Sequence, residues 1–199
     1  MLEDEPILYR TLFTVILYTG MRRGEALGLT WDDIDFTNGL IDINKSSLYL
    51  SGKGIFDSDT KTKSSHRIIR VPETLLPLLK QYKIEQSKNK LKLGDAWKGS
   101  DKVFTSEEGA SLHPDAVSKR YKEFAQKNDL PNTKIHGLRH TNATLMIANG
   151  TDIKTVSKRL GHANVTTTGN IYTHAIKSAD EKAADALNDL FTKSKLKNA

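Results

Sequence analysis

Apolar side chains at Ile7, Leu8, Leu12, Val15 and Ile16 recur at helical spacing and stop at Gly20, which predicts a first helix over residues 6–18. A second helix is predicted over 23–29, followed by a short turn at Trp31 that leads into a strand. Asn38-Gly39, set between IDF and LIDIN, is a hairpin signal because both residues tolerate positive φ. Strands are expected near 40–50 and 66–72. The polar, glycine-bearing SGKGIFDSDTKTKSS between them reads as a mobile hairpin connection. Pro72-Glu73 opens a helix across 73–87 with Leu75, Leu78, Leu79 and Tyr82 on one face, and 88–102 reads as loop. Val103-Phe104 reads as a short buried strand. Helices are predicted from His113-Pro114 to 127, over 135–148 up to Asn149-Gly150, and from a Thr151-Asp152 cap to Gly161. Thr166 to Thr168 would cap a helix carrying Tyr172, and Ser178 with Glu181 forms a capping-box pattern for a last helix. The elements add up to an α+β domain, mostly helical, with a small antiparallel sheet.

Composition narrows the chemistry. The 199 residues suffice for one domain with a substantial core. A net charge of +6 makes an anionic partner plausible. The absence of cysteine removes disulfides, thiolate nucleophiles and thiolate zinc sites, and it fits a cytoplasmic location. No apolar run reaches the ~18 residues of a membrane helix.

The candidate chemistry lies in a set of cations and one phenol. In chain order these are Arg22, Lys61 or Lys63, His136, Arg139, His162 and Tyr172. Attack on a phosphodiester passes through a pentacoordinate phosphorus with added negative charge on its non-bridging oxygens. An arginine fork holds two such oxygens at once. A tyrosine, with a pKa of about 10, attacks only when neighbours help remove its proton. A lysine can protonate the departing alkoxide. The set therefore needs no metal. Each member alone has a plainer account. Arg22 can pair with Glu25 at i,i+3, and Lys61 and Lys63 can be solvated loop residues. Tyr172 can be a half-buried aromatic, and His162 can simply end a helix. His136 and His140, four apart, lack the glutamate of a zinc-binding HExxH helix. The common order of all six residues favours the joint reading.

That order resembles the catalytic domain of the tyrosine recombinase, or phage integrase, family. TGMRRGEALGLTWDDID at 19–35 resembles the first arginine box and KTKSSHRIIRVP at 61–72 the lysine hairpin. HGLRHTNATLMIANG at 136–150 resembles the H-x-x-R box, and LGHANVTTTGNIYTH at 160–174 the box with the nucleophile. The wording is most similar to integrases of Gram-positive phages and conjugative transposons. The resemblance covers nearly the whole chain and implies that residues 1–199 are the catalytic domain, a fragment from which the family's N-terminal core-binding and arm-binding domains are absent. It implies that Arg22 and Arg139 clamp the scissile phosphate and that His136 helps move protons. His162 would bond a non-bridging oxygen, Lys61 would protonate the leaving oxygen, and Tyr172 would become linked to the 3′ phosphate. Lys63 remains an alternative to Lys61. His140 is expected to be buried behind the site, and Glu25 to hold the first arginine box in place. No cofactor or metal is implied. The implied partner is double-stranded DNA, bound as a homotetramer, with DNA-bending or directionality proteins as accessories and the isolated domain a monomer. Two other readings stay open: a type IB topoisomerase-like nicking-closing enzyme, and a non-catalytic DNA-binding module using 135–162 as a helix-turn-helix.

Overall fold

A computed structural model describes residues 1–59, 66–99, 101–131, 133–162 and 164–171. Helix α1 (Ile7–Thr19) buries Leu12, Phe13, Val15 and Ile16 and ends on Gly20, whose N–H still bonds the Ile16 carbonyl and whose φ of 68° turns the chain out of the helix. Helix α2 (Arg23–Gly28) follows after three residues. A three-stranded antiparallel sheet has the order β1 (Ile34–Asp35), β2 (Leu40–Ile43), β5 (Arg67–Arg70). A separate hairpin pairs β3 (Lys45–Leu50) with β4 (Gly54–Asp59). Helices α3 (Leu75–Leu93), α4 (Pro114–Lys127), α5 (His136–Ala148), α6 (Ile153–Leu160) and α7 (Val165–Ile171) complete the described chain. The α+β class is as expected.

Most apolar burial lies in one core shared by α1, α2, the three-stranded sheet, α3 and α4. Within it the Phe13 ring meets Tyr121 edge-on at 5.1 Å and Phe124 at 5.8 Å. A second, smaller cluster of Ala143, Ile147, Val156 and Leu160 joins α5 to α6. The site described below lies at the seam between the two.

Several local readings are corrected. The run 40–50 is two strands in different sheets, broken at Asn44, whose amide donates to Asp33 at 2.7 Å. Residues 54–59, expected within a mobile connection, form β4, registered from Leu50↔Gly54 to Lys45↔Asp59. Cross-strand pairing supplied what the polar composition hid. The β1–β2 hairpin exists, but its turn spans 36–39 and only Gly39 has positive φ, 66°. Asn38 instead bonds through its backbone and side chain to Asp35. Helix α3 runs on to Leu93, past the expected end at 87. Val103 and Phe104 are fully buried yet are not a strand; they bend between the isolated bridges Thr30↔Lys102 and Thr105↔Ser111. Gln86 holds this bend by donating to the carbonyls of Lys102 and Val103 and to Thr105 Oγ1. Helix α7 begins at Val165, ahead of the threonines expected to cap it, and the side chain of Asn164 accepts from the Thr166 N–H. The expected last helix lies outside the described residues.

Candidate active site

Arg22 precedes α2 and is exposed, whereas Glu25, one turn in, is only 3% exposed. One carboxylate oxygen of Glu25 accepts from Arg22 Nη1 at 2.7 Å, and the other accepts from the Arg22 backbone N–H at 2.8 Å. The expected i,i+3 pair is therefore present, and it also caps the helix. Two glycines let this unit approach the β3–β4 hairpin. A Cβ on Gly24 would lie 2.5 Å from Ser46 Oγ, and one on Gly28 3.1 Å from the Ser47 N.

Arg139, on α5, is 2% exposed, and its Nη1 donates to the Gly20 carbonyl at 2.6 Å. Asn142, one turn on, donates to the Leu17 carbonyl at 2.8 Å. The last carbonyls of α1, the negative end of its dipole, thus face a guanidinium and an amide from α5. This links the second arginine to the chain two residues before the first.

His136 opens α5 and is exposed; His140 is half-buried, with its ring edge-on to His136 at 4.6 Å. The expectation that His140 is buried behind the site is corrected, since it shares the face of His136 one turn further along. Burial lowers the pKa of both rings. His140, Arg139 and Arg22 depress His136 further, and Arg139 depresses His140.

His162 follows Gly161, which ends α6 at φ 69°. Its N–H donates to the Ser157 carbonyl at 3.1 Å, and its Nδ1 lies 2.8 Å from Thr168 Oγ1 on α7. Burial, then the charges of Arg139, Arg22 and Arg67, push its pKa down to about 4. The ring is therefore neutral at pH 7. Arg22 Nη2 donates to the Gly161 carbonyl at 3.4 Å, across 139 residues of sequence.

Arg22, His136, Arg139 and His162 are thus brought together. Lys61, Lys63 and Tyr172 lie outside the described residues; in sequence they fall between β4 and β5 and just after α7. Sequence reasoning missed four contributors: Arg67, Arg159, Asn142 and Thr168. Arg67 is 7% exposed and donates to Glu25 and to the Arg159 carbonyl. Arg159 donates to the carbonyls of Arg70 and Tyr18, stitching α6 to β5 and α1. A usable signal for Arg67 existed. Strand alternation puts it on the face of Ile69, and the opposite face carries Ile68 and Arg70, both exposed.

Residues 2–179 match the phage integrase family model, and the chain belongs to that family. It is 38% identical over 195 residues to a XerC-like tyrosine recombinase of Caldanaerobacter subterraneus subsp. tengcongensis, covering 92% of this chain and 49% of that one. It is 34% identical over 190 residues to the ICEBs1 integrase of Bacillus subtilis, covering 96% of this chain and 51% of that one. The chain thus spans about half the length of these relatives. Its fold is similar to that of the Tn1549 transposon integrase in complex with transposon right-end DNA, with TM-score 0.76, 24% identity, and coverage of 90% of this chain and 59% of that one. The XerA recombinase matches with TM-score 0.66 at 25% identity, covering 96% of this chain and 57% of that one.

Proposed function

We propose that this chain cuts and rejoins duplex DNA in site-specific recombination that integrates or excises a mobile element. The observation that carries the reading is the meeting of Arg22, Arg139, His136 and His162, from three distant segments, in one arginine-rich cluster. Tyr172 Oη attacks phosphorus and the bond to the 5′ oxygen breaks. The products are a 3′-phosphotyrosyl ester and a free 5′ hydroxyl. Lys61 gives its proton to the departing 5′ oxygen, and His136 helps carry away the phenol proton. Arg22 and Arg139 hold the non-bridging oxygens, whose charge grows in the transition state. One such preorganised donor is typically worth on the order of 10²–10³ in rate. His162 Nδ1 lies 2.8 Å from the Thr168 hydroxyl; in the tautomer in which that hydroxyl donates to Nδ1, the proton of the neutral ring stands on Nε2, where it can donate to a phosphate oxygen. The ester keeps the energy of the original bond, so the same residues run the reverse step without a cofactor. Four copies on two duplexes would complete an exchange in the cytoplasm.

The test is a pool of duplexes of randomised sequence, each nicked so that the cut strand diffuses away. Incubation should leave DNA joined to protein through its 3′ phosphate and stable to boiling SDS. Tyr172→Phe should abolish the adduct while leaving noncovalent binding. An undiminished adduct with the phenylalanine variant refutes the assignment. Two copies of a recovered sequence on separate duplexes should then exchange strands; plasmid relaxation without exchange would indicate a nicking-closing enzyme.

A further inference from the structure

We infer that Arg67 is a positioning residue, which orients Arg22 through Glu25 and fixes the turn that presents His162. The inference rests on the strand-cleavage reading for its link to rate, but its geometry stands apart from it.

Arg67 opens β5 and points into the seam between the two apolar clusters. Its Nη2 donates to Glu25 Oε2 at 2.8 Å, and its Nε donates to the Arg159 carbonyl at 2.7 Å. Gly161 lies against the guanidinium; a Cβ there would stand 2.9 Å from Nη1 and 3.2 Å from Cζ. Arg22 closes the ring, donating to Glu25 Oε1 at 2.7 Å and to the Gly161 carbonyl at 3.4 Å. The circuit runs Arg67, Glu25, Arg22, the 159–161 turn and back to Arg67. A planar fork can serve Glu25 and the turn at once, whereas a lysine ammonium would reach one of them.

Charge adds a second reason. Glu25 and Arg22 alone would form a neutral pair, holding Arg22 on the carboxylate and away from an anion. Arg67 gives the carboxylate a second cation, so the triad carries a net positive charge. Burial on its own would raise the Glu25 pKa; the hydrogen bond and charge of Arg67, and then the bonds from Arg22, hold it below the usual range. Arg67 also leads directly out of residues 60–65, where the candidate lysines lie. It therefore ties three separate sequence boxes at one point.

Arg67→Lys should cleave the recovered nicked duplex about 10²-fold more slowly, the scale of a small misplacement at a reacting centre. Noncovalent affinity, measured with Tyr172→Phe, should change by no more than a few-fold. The double variant Arg22→Lys/Arg67→Lys should be little slower than Arg22→Lys alone, because the brace then has no fork to orient. Glu25→Gln should show the same rate loss and the same lack of additivity. Without DNA, amide hydrogen exchange in Arg67→Lys should quicken at 20–25 and 157–162 and stay unchanged in α3 and α4. Wild-type cleavage by Arg67→Lys, fully multiplicative losses, or exchange raised uniformly across the fold would each overturn the inference. Local loosening in a protein whose wild type forms no adduct would keep the brace and sink the cleavage reading.

Discussion

His162 is held neutral in a field of arginines, which gives the fold a definite response to acid. Its folded pKa of about 4 lies below the roughly 6.5 of an unfolded histidine. Between those values the unfolded chain binds more protons than the folded one, so stability rises with pH across the window. It is fully present above pH 6.5 and is lost as pH falls through 4. His136 and His140 shift in the same direction, and Glu25, also lowered, extends the loss to more acid pH. Thermal melting should therefore fall steadily from pH 7 to pH 4.5. His162→Gln, which keeps a polar partner for Thr168, should flatten part of that slope; an unchanged slope would show that His162 does not titrate as described.

At the scale of elements, the β3–β4 hairpin depends on one buried lysine. Lys102, 6% exposed, donates from Nζ to Asp57 Oδ1 at 2.6 Å and to Ser47 Oγ at 3.1 Å, pinning both strands to the segment beyond α3. Lys102→Met keeps the apolar stem and loses the charged anchor. Asp57 can rehydrate because it is partly exposed, so the cost should be about 1.5–2 kcal/mol, the low end of the range for a hydrogen bond to a charged group. Exchange should rise in β3 and β4 and hold in β2 and β5. Residues 60–65 follow β4 directly, so cleavage should slow as well. A 5′-bridging phosphorothiolate, whose leaving group needs no proton, should restore the rate of Lys102→Met and of Lys61→Ala. If Lys63→Ala is the variant rescued, the acid is Lys63. No sequence window pointed to Lys102, because its partners are 45 and 55 residues away.

At the scale of the whole molecule, the described part of the cluster is built of arginine and histidine without a carboxylate or thiolate cage. Among the described residues, no group of three or more histidines, aspartates, glutamates or cysteines could hold an ion. His136 and His140 share their face with Arg139, whose charge opposes a divalent cation. Cleavage of the recovered duplex should proceed at full rate in EDTA. Activity lost on chelation and restored by zinc or magnesium would overturn the mechanism. Among the described residues, no helix is long and apolar enough to cross a membrane.

What the sequence determined by itself was whatever one or two helical turns encode. The periodicity ending at Gly20, the Asp152 cap and the Pro114 start placed α1, α6 and α4 nearly to the residue, because caps and apolar stripes act within a few positions. The order of the boxes marked Arg22, His136, Arg139 and His162 as a set. Only the tertiary structure decided how strands 40–59 divide between two sheets, because pairing energy depends on a partner strand and not on local composition. The same holds for the inner layer of the site. Arg67 is a surface residue by type and a buried one by position. Its burial is tolerable because Glu25, 42 residues away, and the Arg159 carbonyl, 92 away, supply a charge and an acceptor.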